Sequence, residues 1–305
     1  MRILITGLTG FIGGELAPVL LERGHQPVAL VRDPIRVPNS LKRDIEIVTG
    51  DALDVEDLRF AMKGCDSFVW LLHSMEASGG TETFAVRESR SIDCAISAAK
   101  ASGVERGVYL GGIAPEGTAS EHLQSRLQVE ARLLEELPLS TALRASIVIG
   151  AHSRSFRFLV RLVERMPALP LPSWRDKRTQ PADSRDVVKA LALALEGAAP
   201  GESLDVASPD VVSYGDLIEL IADRMLVSRP TIGLPFSLSR MTGPIAAALA
   251  SEDRELITPL MGSLGVDLLP RTDGLAHLGI KAHSLESAID RALFDWEQEE
   301  ELAAR

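Results

Sequence analysis

The sequence predicts an α/β fold, a doubly wound parallel sheet with a small C-terminal substrate lobe, and three observations predict it. Short runs of apolar, β-branched residues alternate with segments whose apolar residues recur at helical spacing. Those runs are continuous rather than alternating, the pattern of strands covered on both faces. The first run ends in a turn with glycines at 7, 10 and 13, directly before a helix-patterned segment.

Taken in order, Ile3-Leu4-Ile5 makes the first strand, and residues 11–23 make a helix with Ile12, Leu16, Val19 and Leu20 at helical spacing. Pro18 falls inside that helix, where a missing N–H should bend it, and Gly24 caps it. Residues 28–31, 45–48 and 68–72 read as the second, third and fourth strands, with helical segments over 55–63 and 83–101. A fifth strand over 107–110, a helix over 122–137 and a sixth strand over 141–149 complete the regular part.

After Gly150 the alternation breaks. A helix over 154–165 is followed by the proline-rich Met166-Pro167-Ala168-Leu169-Pro170-Leu171-Pro172, then a helix over 184–196 and a strand over 203–207 rejoin the sheet. The expected organisation is a nucleotide-binding domain over 1–225, with 151–180 contributing to the lobe, and a small, mainly helical lobe over 226–305. The acidic run at 297–301 reads as a solvated helix end. Residues 245–250 are apolar but too few for a membrane span, and are expected to line a pocket or touch an interface.

Composition narrows the function. A hydrophobic fraction of 46% and a charged fraction of 25% over 305 residues describe an ordered globular chain. A formal net charge of −11, with no local Lys/Arg stripe, does not suit a nucleic-acid partner. Cys65 and Cys94 have neither a CxxC pairing nor a nearby His pair, so no disulfide framework and no metal site is expected. The chain passes from Met1-Arg2 straight into a strand, which predicts no export signal and a cytoplasmic location.

The glycine turn Thr6-Gly7-Leu8-Thr9-Gly10-Phe11-Ile12-Gly13 carries the chemistry. Glycines at this spacing allow positive φ, close backbone approach to a phosphate and tight helix-on-sheet packing, and the next helix points its N-terminal amides at an anion. Gly7, Thr9, Gly10, Phe11, Ile12 and Gly13 are therefore expected to bind the diphosphate of a nicotinamide dinucleotide. The second strand ends Val31-Arg32-Asp33, and Arg32, with Arg36 nearby, points to NADP, with NAD as the alternative; a surface pair of Arg32 with Asp33 is the structural reading. Asp51, followed by Ala52, is either an adenine contact or a helix cap. Leu71, Leu72 and His73 close the fourth strand beside the expected adenosine ribose, and Tyr109 on the fifth strand joins the candidate cofactor contacts.

The TGxxGxxG turn, the Val-Arg-Asp-Pro after strand two and the Gly-Asp after strand three together resemble the extended and atypical members of the short-chain dehydrogenase/reductase superfamily, among them NmrA-like and sugar-nucleotide epimerase-like proteins. The likeness covers about the first 225 residues and implies a Rossmann domain with a small substrate lobe. It also implies a Tyr-x-x-x-Lys pair after strand five, which this chain lacks: Tyr109 and Tyr214 are followed four residues later by Ile113 and Ile218, and the fifth strand ends in Gly111-Gly112 where the family often has serine. In the place of the pair stand His122 and Arg126, four apart on a helix. Either His122 replaces the tyrosine as acid and Arg126 holds the nicotinamide ribose, or His122 starts the helix and Arg126 pairs with Glu130. The segment Leu143-Arg144-Ala145-Ser146-Ile147 resembles the stretch that passes the nicotinamide, which makes Ala145, Ser146 and Ile147 backbone neighbours of the ring and leaves Arg144 as an interior ion-pair partner.

Three functions compete: an NADP(H)-dependent oxidoreductase on an unknown small substrate, a non-catalytic dinucleotide-binding sensor or structural subunit, and a nucleotide-sugar epimerase or dehydratase. No feature of the sequence names a substrate or an oligomeric state.

Overall fold

The computed structural model describes residues 1–72, 84–171, 173–233 and 265–300. His73 and the apolar stretch 245–250 lie outside the described residues.

Seven parallel strands form one sheet. Six are β1 (Arg2–Thr6), β2 (Gln26–Val31), β3 (Glu46–Thr49), β4 (Ser67–Trp70), β5 (Gly107–Gly112) and β6 (Thr141–Ala145); the seventh, Ser203–Asp205, lies on the edge beside β6. Their spatial order is Ser203–Asp205, β6, β5, β4, β1, β2, β3. The chain runs from β1 outward to β3, then crosses back to β4 on the other side of β1. The strand order therefore reverses between β1 and β4, and a crevice opens at the carboxyl ends of these strands, the place where ligands bind in open α/β sheets.

Two apolar layers cover the sheet. Helices α1 (Phe11–Glu22) and α6 (Ser184–Leu195) pack together on one face, burying Leu16, Leu20, Val187 and Leu191 against Ile3, Ile5, Val69 and Val108. Helices α2 (Val55–Ala61), α3 (Phe84–Ser102) and α4 (Glu121–Glu136) cover the other with Leu58, Ile92, Ile96 and Leu133 over Leu4, Val28 and Phe68. Leu4 faces one layer while Ile3 and Ile5 face the other, as the two-residue period of a strand requires. The expected doubly wound α/β fold is thus the observed one.

Two details depart from the sequence expectation. Helix α1 runs through Pro18 without interruption, with Gly14 as the residue four before it. The sixth strand is not continuous to 149: it stops at Ala145, and Val148–Ile149 leaves the sheet to pair with Ala182–Asp183. The diversion has a local cause, because Ser146 Oγ donates to the Gln180 carbonyl at 2.8 Å and the Ala182 N–H donates to the Ile147 carbonyl at 2.9 Å. The acidic run lies at the exposed end of the last helix, as expected, and Glu300 accepts from Arg157 at 3.2 Å and from Arg161, whose guanidinium, like that of Arg157, lies over the Trp296 ring.

A second apolar cluster joins α5 (Arg154–Arg165), α7 (Tyr214–Arg224) and the helix Leu285–Glu297 through Phe156, Val160, Leu217, Ile221, Ile289 and Trp296. Helix α7 thus packs with this cluster, ahead of position 226 where the sequence placed the start of the lobe. The cluster stands over the carboxyl edge of the sheet, and the crevice between them is the candidate site.

Candidate functional site

The floor of the site is the glycine turn. Thr6 ties β1 to β4 at their ends: its Oγ1 donates to the Val69 carbonyl at 2.9 Å and accepts from the Leu71 N–H at 3.4 Å. Gly7 follows at φ +84°, a conformation that side chains other than glycine rarely adopt, and a Cβ there would stand 3.1 Å from the Leu71 carbonyl. At Gly13 a Cβ would lie 2.2 Å from the Gly7 carbonyl oxygen and 2.8 Å from Leu8 Cα, so the helix can approach the turn this closely only without a side chain. Gly10 is the N-cap of α1 with no side-chain cap bond, and no acidic residue occupies the first turn. The positive end of α1 therefore faces the crevice with no carboxylate in its first turn, and these residues fit a diphosphate.

A single cavity of about 1100 Å³ extends from this floor in both directions. At one end it is lined by Arg32, Arg36 and Pro38. Asp33 is not among its lining residues; its carboxylate accepts from the Ile35 N–H at 3.0 Å and caps the short helical turn Pro34–Arg36. Thr9, Phe11, Ile12, Leu71, Leu72, Ala145, Ser146 and Ile147 all line it, with Gly7, Gly10 and Gly13. Asp51 and Ala52 do not: Asp51 is exposed and accepts from the Leu53 N–H at 3.0 Å, while the N-cap of α2 is Asp54. Tyr109 also lies away from the cavity, fully buried with Phe68 and Trp70 in the layer under α3 and α4, where burial pushes its phenol up.

Toward the lobe the cavity meets α4, whose Ser120 side chain accepts from the Leu123 N–H and sets the first turn. His122 and Arg126 both line it from this helix. Burial, and then the Arg126 charge, push His122 down to about 4, so the imidazole is neutral at physiological pH. Behind them Ser125 donates to the buried Glu88 carboxyl on α3, which burial pushes above the usual carboxylate range. The expected alternative partner of Arg126, Glu130, instead accepts from Arg144 Nε at 2.9 Å and from Ser203 Oγ at 2.6 Å. Arg144, also 3.7 Å from Asp205, is the interior ion-pair partner that the sequence left open.

Beyond α4 the cavity enters the lobe between Phe158, Trp174, Tyr214 and Leu268. The sequence reading assigned none of these four to the site. They come from four separate segments, and only the irregular chain after Gly150 hinted that this region faces a ligand. Near this end Ser153 and Arg154 also line the cavity, whereas Arg157 stacks on Trp296 and Gln180 donates to the Ser208 carbonyl at 2.7 Å.

Comparison with known proteins agrees with this geometry. Residues 7–142 match a family model described as NAD(P)H-binding. Over that stretch, a little under half of its length, the chain is similar to NAD(P)H-binding domains. It is 25% identical over 260 residues to the mitochondrial NADH dehydrogenase [ubiquinone] 1 alpha subcomplex subunit 9 of Arabidopsis thaliana, covering 81% of this chain and 62% of that one. It is 28% identical over 172 residues to a ceramide reductase of Caulobacter vibrioides, covering 56% of this chain and 54% of the other. The match to each therefore spans less than two thirds of the relative. In fold, the chain superposes on UDP-glucose 4-epimerase of Thermotoga maritima with a TM-score of 0.74 at 16% identity, over 98% of this chain and 99% of that one. The Bordetella bronchiseptica enzyme WbmH, solved with NAD+, gives 0.72 at 16% identity over 98% of both chains. Among the described residues no helix is long and apolar enough to cross a membrane.

Proposed function

We propose that this chain binds NADP(H) and acts as an oxidoreductase on a small carbonyl substrate, with His122 and Arg126 in the place of the Tyr-x-x-x-Lys pair. The observation that carries the reading is one cavity with two arginines at its far end, a glycine cradle in its middle and a polar pair followed by apolar walls at the lobe. Its volume of about 1100 Å³ lies just above the roughly 300–1,000 Å³ usual for ligand pockets, which suits a dinucleotide and a second molecule together.

Each part has its own task. The turn from Gly7 to Gly13 and the start of α1 hold the diphosphate, and Arg32 with Arg36 takes the extra phosphate that distinguishes NADP from NAD. Asp33 accepts from the Ile35 N–H and does not line the cavity at that end. The backbone of Ala145, Ser146 and Ile147 supports the nicotinamide, and Arg126 holds its ribose. When bound, the reduced dinucleotide supplies a hydride with its electron pair and leaves oxidised. His122, neutral, donates a hydrogen bond to the substrate oxygen and relays to it the proton taken from water at the open cleft, the role a neutral imidazole fills as an electrophile elsewhere.

One observation favours a second reading, a non-catalytic dinucleotide binder. A histidine held near 4 is a weaker proton donor than one poised near neutrality, and no Tyr-x-x-x-Lys pair replaces it. The similarity to a subunit of NADH dehydrogenase is in keeping with that reading. The epimerase reading rests on fold likeness alone.

The test is titration of the chain with NADPH and with NADH, following nicotinamide fluorescence, in the wild type and in Arg32→Ala and Arg36→Ala, and then a search for hydride transfer to carbonyl compounds. NADPH preference that disappears in the arginine variants, with turnover, is the expected result. Tight NADPH binding without turnover of any carbonyl would leave the binder; binding of neither dinucleotide would overturn the cofactor reading.

A further inference from the structure

The lobe end of the cavity differs in chemistry from the rest. Phe158 and Leu159 reach it from α5, Trp174 from the short helical turn Ser173–Asp176, Tyr214 from the first residue of α7, and Leu268 from the segment that bridges to Thr179. Trp174 and Tyr214 meet edge to face, with ring centroids 6.1 Å apart and planes at 88°, a favourable aromatic geometry that fixes both rings. None of these five side chains carries a charge at neutral pH. Burial pushes the Tyr214 phenol up to about 12, a sign of how little solvent this end admits.

The charged groups that line the cavity on the lobe side stand on other segments and are largely engaged with one another. Arg291 donates to Asp295 at 2.6 Å on the helix Leu285–Glu297, and His152 lies 3.2 Å from Glu299. Arg154, which also lines the cavity, is exposed at the first position of α5. An anionic group placed among Phe158, Trp174 and Tyr214 would lose its water with no opposite charge from those residues to compensate. A flat apolar body would instead gain area burial and ring contacts.

From this arrangement we infer that the lobe end is a specificity subsite for an uncharged substrate with a flat, aromatic or similarly apolar body, seated against Phe158, Trp174 and Tyr214, and that it discriminates against nucleotide sugars and organic acids. The inference rests on the reading of the cavity as an NADP(H)-dependent oxidoreductase site, which fixes the other end of the substrate, its carbonyl, beside His122.

Calorimetric titration of the full chain loaded with NADP+ tests it, with 2-acetonaphthone as probe and 2-naphthoate and UDP-glucose as comparators. The ketone is expected to bind at least about tenfold more tightly than either anion, given the cost of desolvating a charge. Trp174→Leu and Phe158→Ala should each weaken the ketone about three- to tenfold while NADP+ affinity stays at the wild-type level. Unchanged NADP+ affinity also serves as the check that each variant is folded. Equal or tighter binding of naphthoate or UDP-glucose would overturn the inference, as would ketone affinity indifferent to both substitutions. Failure of the other reading looks different: NADP+ that does not bind removes the cofactor site and this inference with it, whereas a ketone that binds but is never reduced by NADPH leaves the subsite and removes the oxidoreductase.

Discussion

The ring of Phe11 rests on the backbone of Gly150: a Cβ added to Gly150 would come within 2.4 Å of Phe11 Cζ and 3.1 Å of Ser184 Oγ. This contact joins the opening turn of α1 to the point where the chain leaves the sheet for the lobe, and Phe11 also lines the cavity. A methyl group at 150 must therefore move the ring. Gly150→Ala is expected to cost about 1–2 kcal/mol in urea unfolding and to weaken dinucleotide binding. In a Phe11→Ala background the same substitution should cost little, because the displaced ring is gone. A double-mutant cycle measures this coupling, and strictly additive effects would sink the idea.

The glycines of the first turn separate into a graded series. A Cβ at Gly13 would lie 2.2 Å from a backbone carbonyl, one at Gly10 3.2 Å from the same atom, and one at Gly14 3.7 Å from the Leu8 carbonyl. Gly13→Ala meets backbone on two sides and should abolish measurable NADPH binding. Gly10→Ala should weaken it less. Gly14→Ala, inside α1 and in ordinary contact, should raise stability by up to about 1 kcal/mol through helix propensity. Calorimetric affinity and thermal melts across the three variants give the order directly.

A buried ion pair ties α4 to the sheet. Arg144 grips Glu130 through Nε and Nη2, and the Glu130 side chain is only 6% exposed. Glu130→Leu leaves the guanidinium with Asp205 as its remaining partner, at 3.7 Å, and is expected to cost about 3 kcal/mol in chemical denaturation. A loss under about 0.5 kcal/mol would mean that Asp205 alone suffices.

Much of this architecture was legible because it is periodic. Every strand from β1 to β6 and every helix from α1 to α6 sits in apolar runs or helical spacings that a one-dimensional pattern exposes, whereas α7 was not expected. The cofactor turn was legible for a different reason, since three glycines at fixed offsets answer a steric demand that no other residue meets. The apolar end of the site was not. Phe158, Trp174, Tyr214 and Leu268 converge from segments up to 110 residues apart, and each alone reads as an ordinary core residue. Tyr109 illustrates the converse: a tyrosine at the right strand end suggests a contact, yet the two-residue strand period turns its ring into the layer behind.

His122 offers a pH signature that its sequence position could not. Its folded value of about 4 lies below the ordinary 6.5, with burial as the larger cause and the Arg126 charge as the second. Between those two values the unfolded chain binds a proton that the folded chain refuses, so stability must fall as pH drops from about 6.5 toward about 4 and this contribution must level off below. Other groups titrate in the same interval, so the comparison is with His122→Gln. The melting temperature of the variant, relative to wild type, should rise as pH is lowered through the window and stay constant between pH 7 and 8. In Arg126→Gln the imidazole should titrate at higher pH than in the wild type, which NMR of the ring protons reads without reference to activity. A wild-type ring that titrates near 6.5 would show that α4 leaves His122 open to water, and would return it to the list of ordinary proton donors.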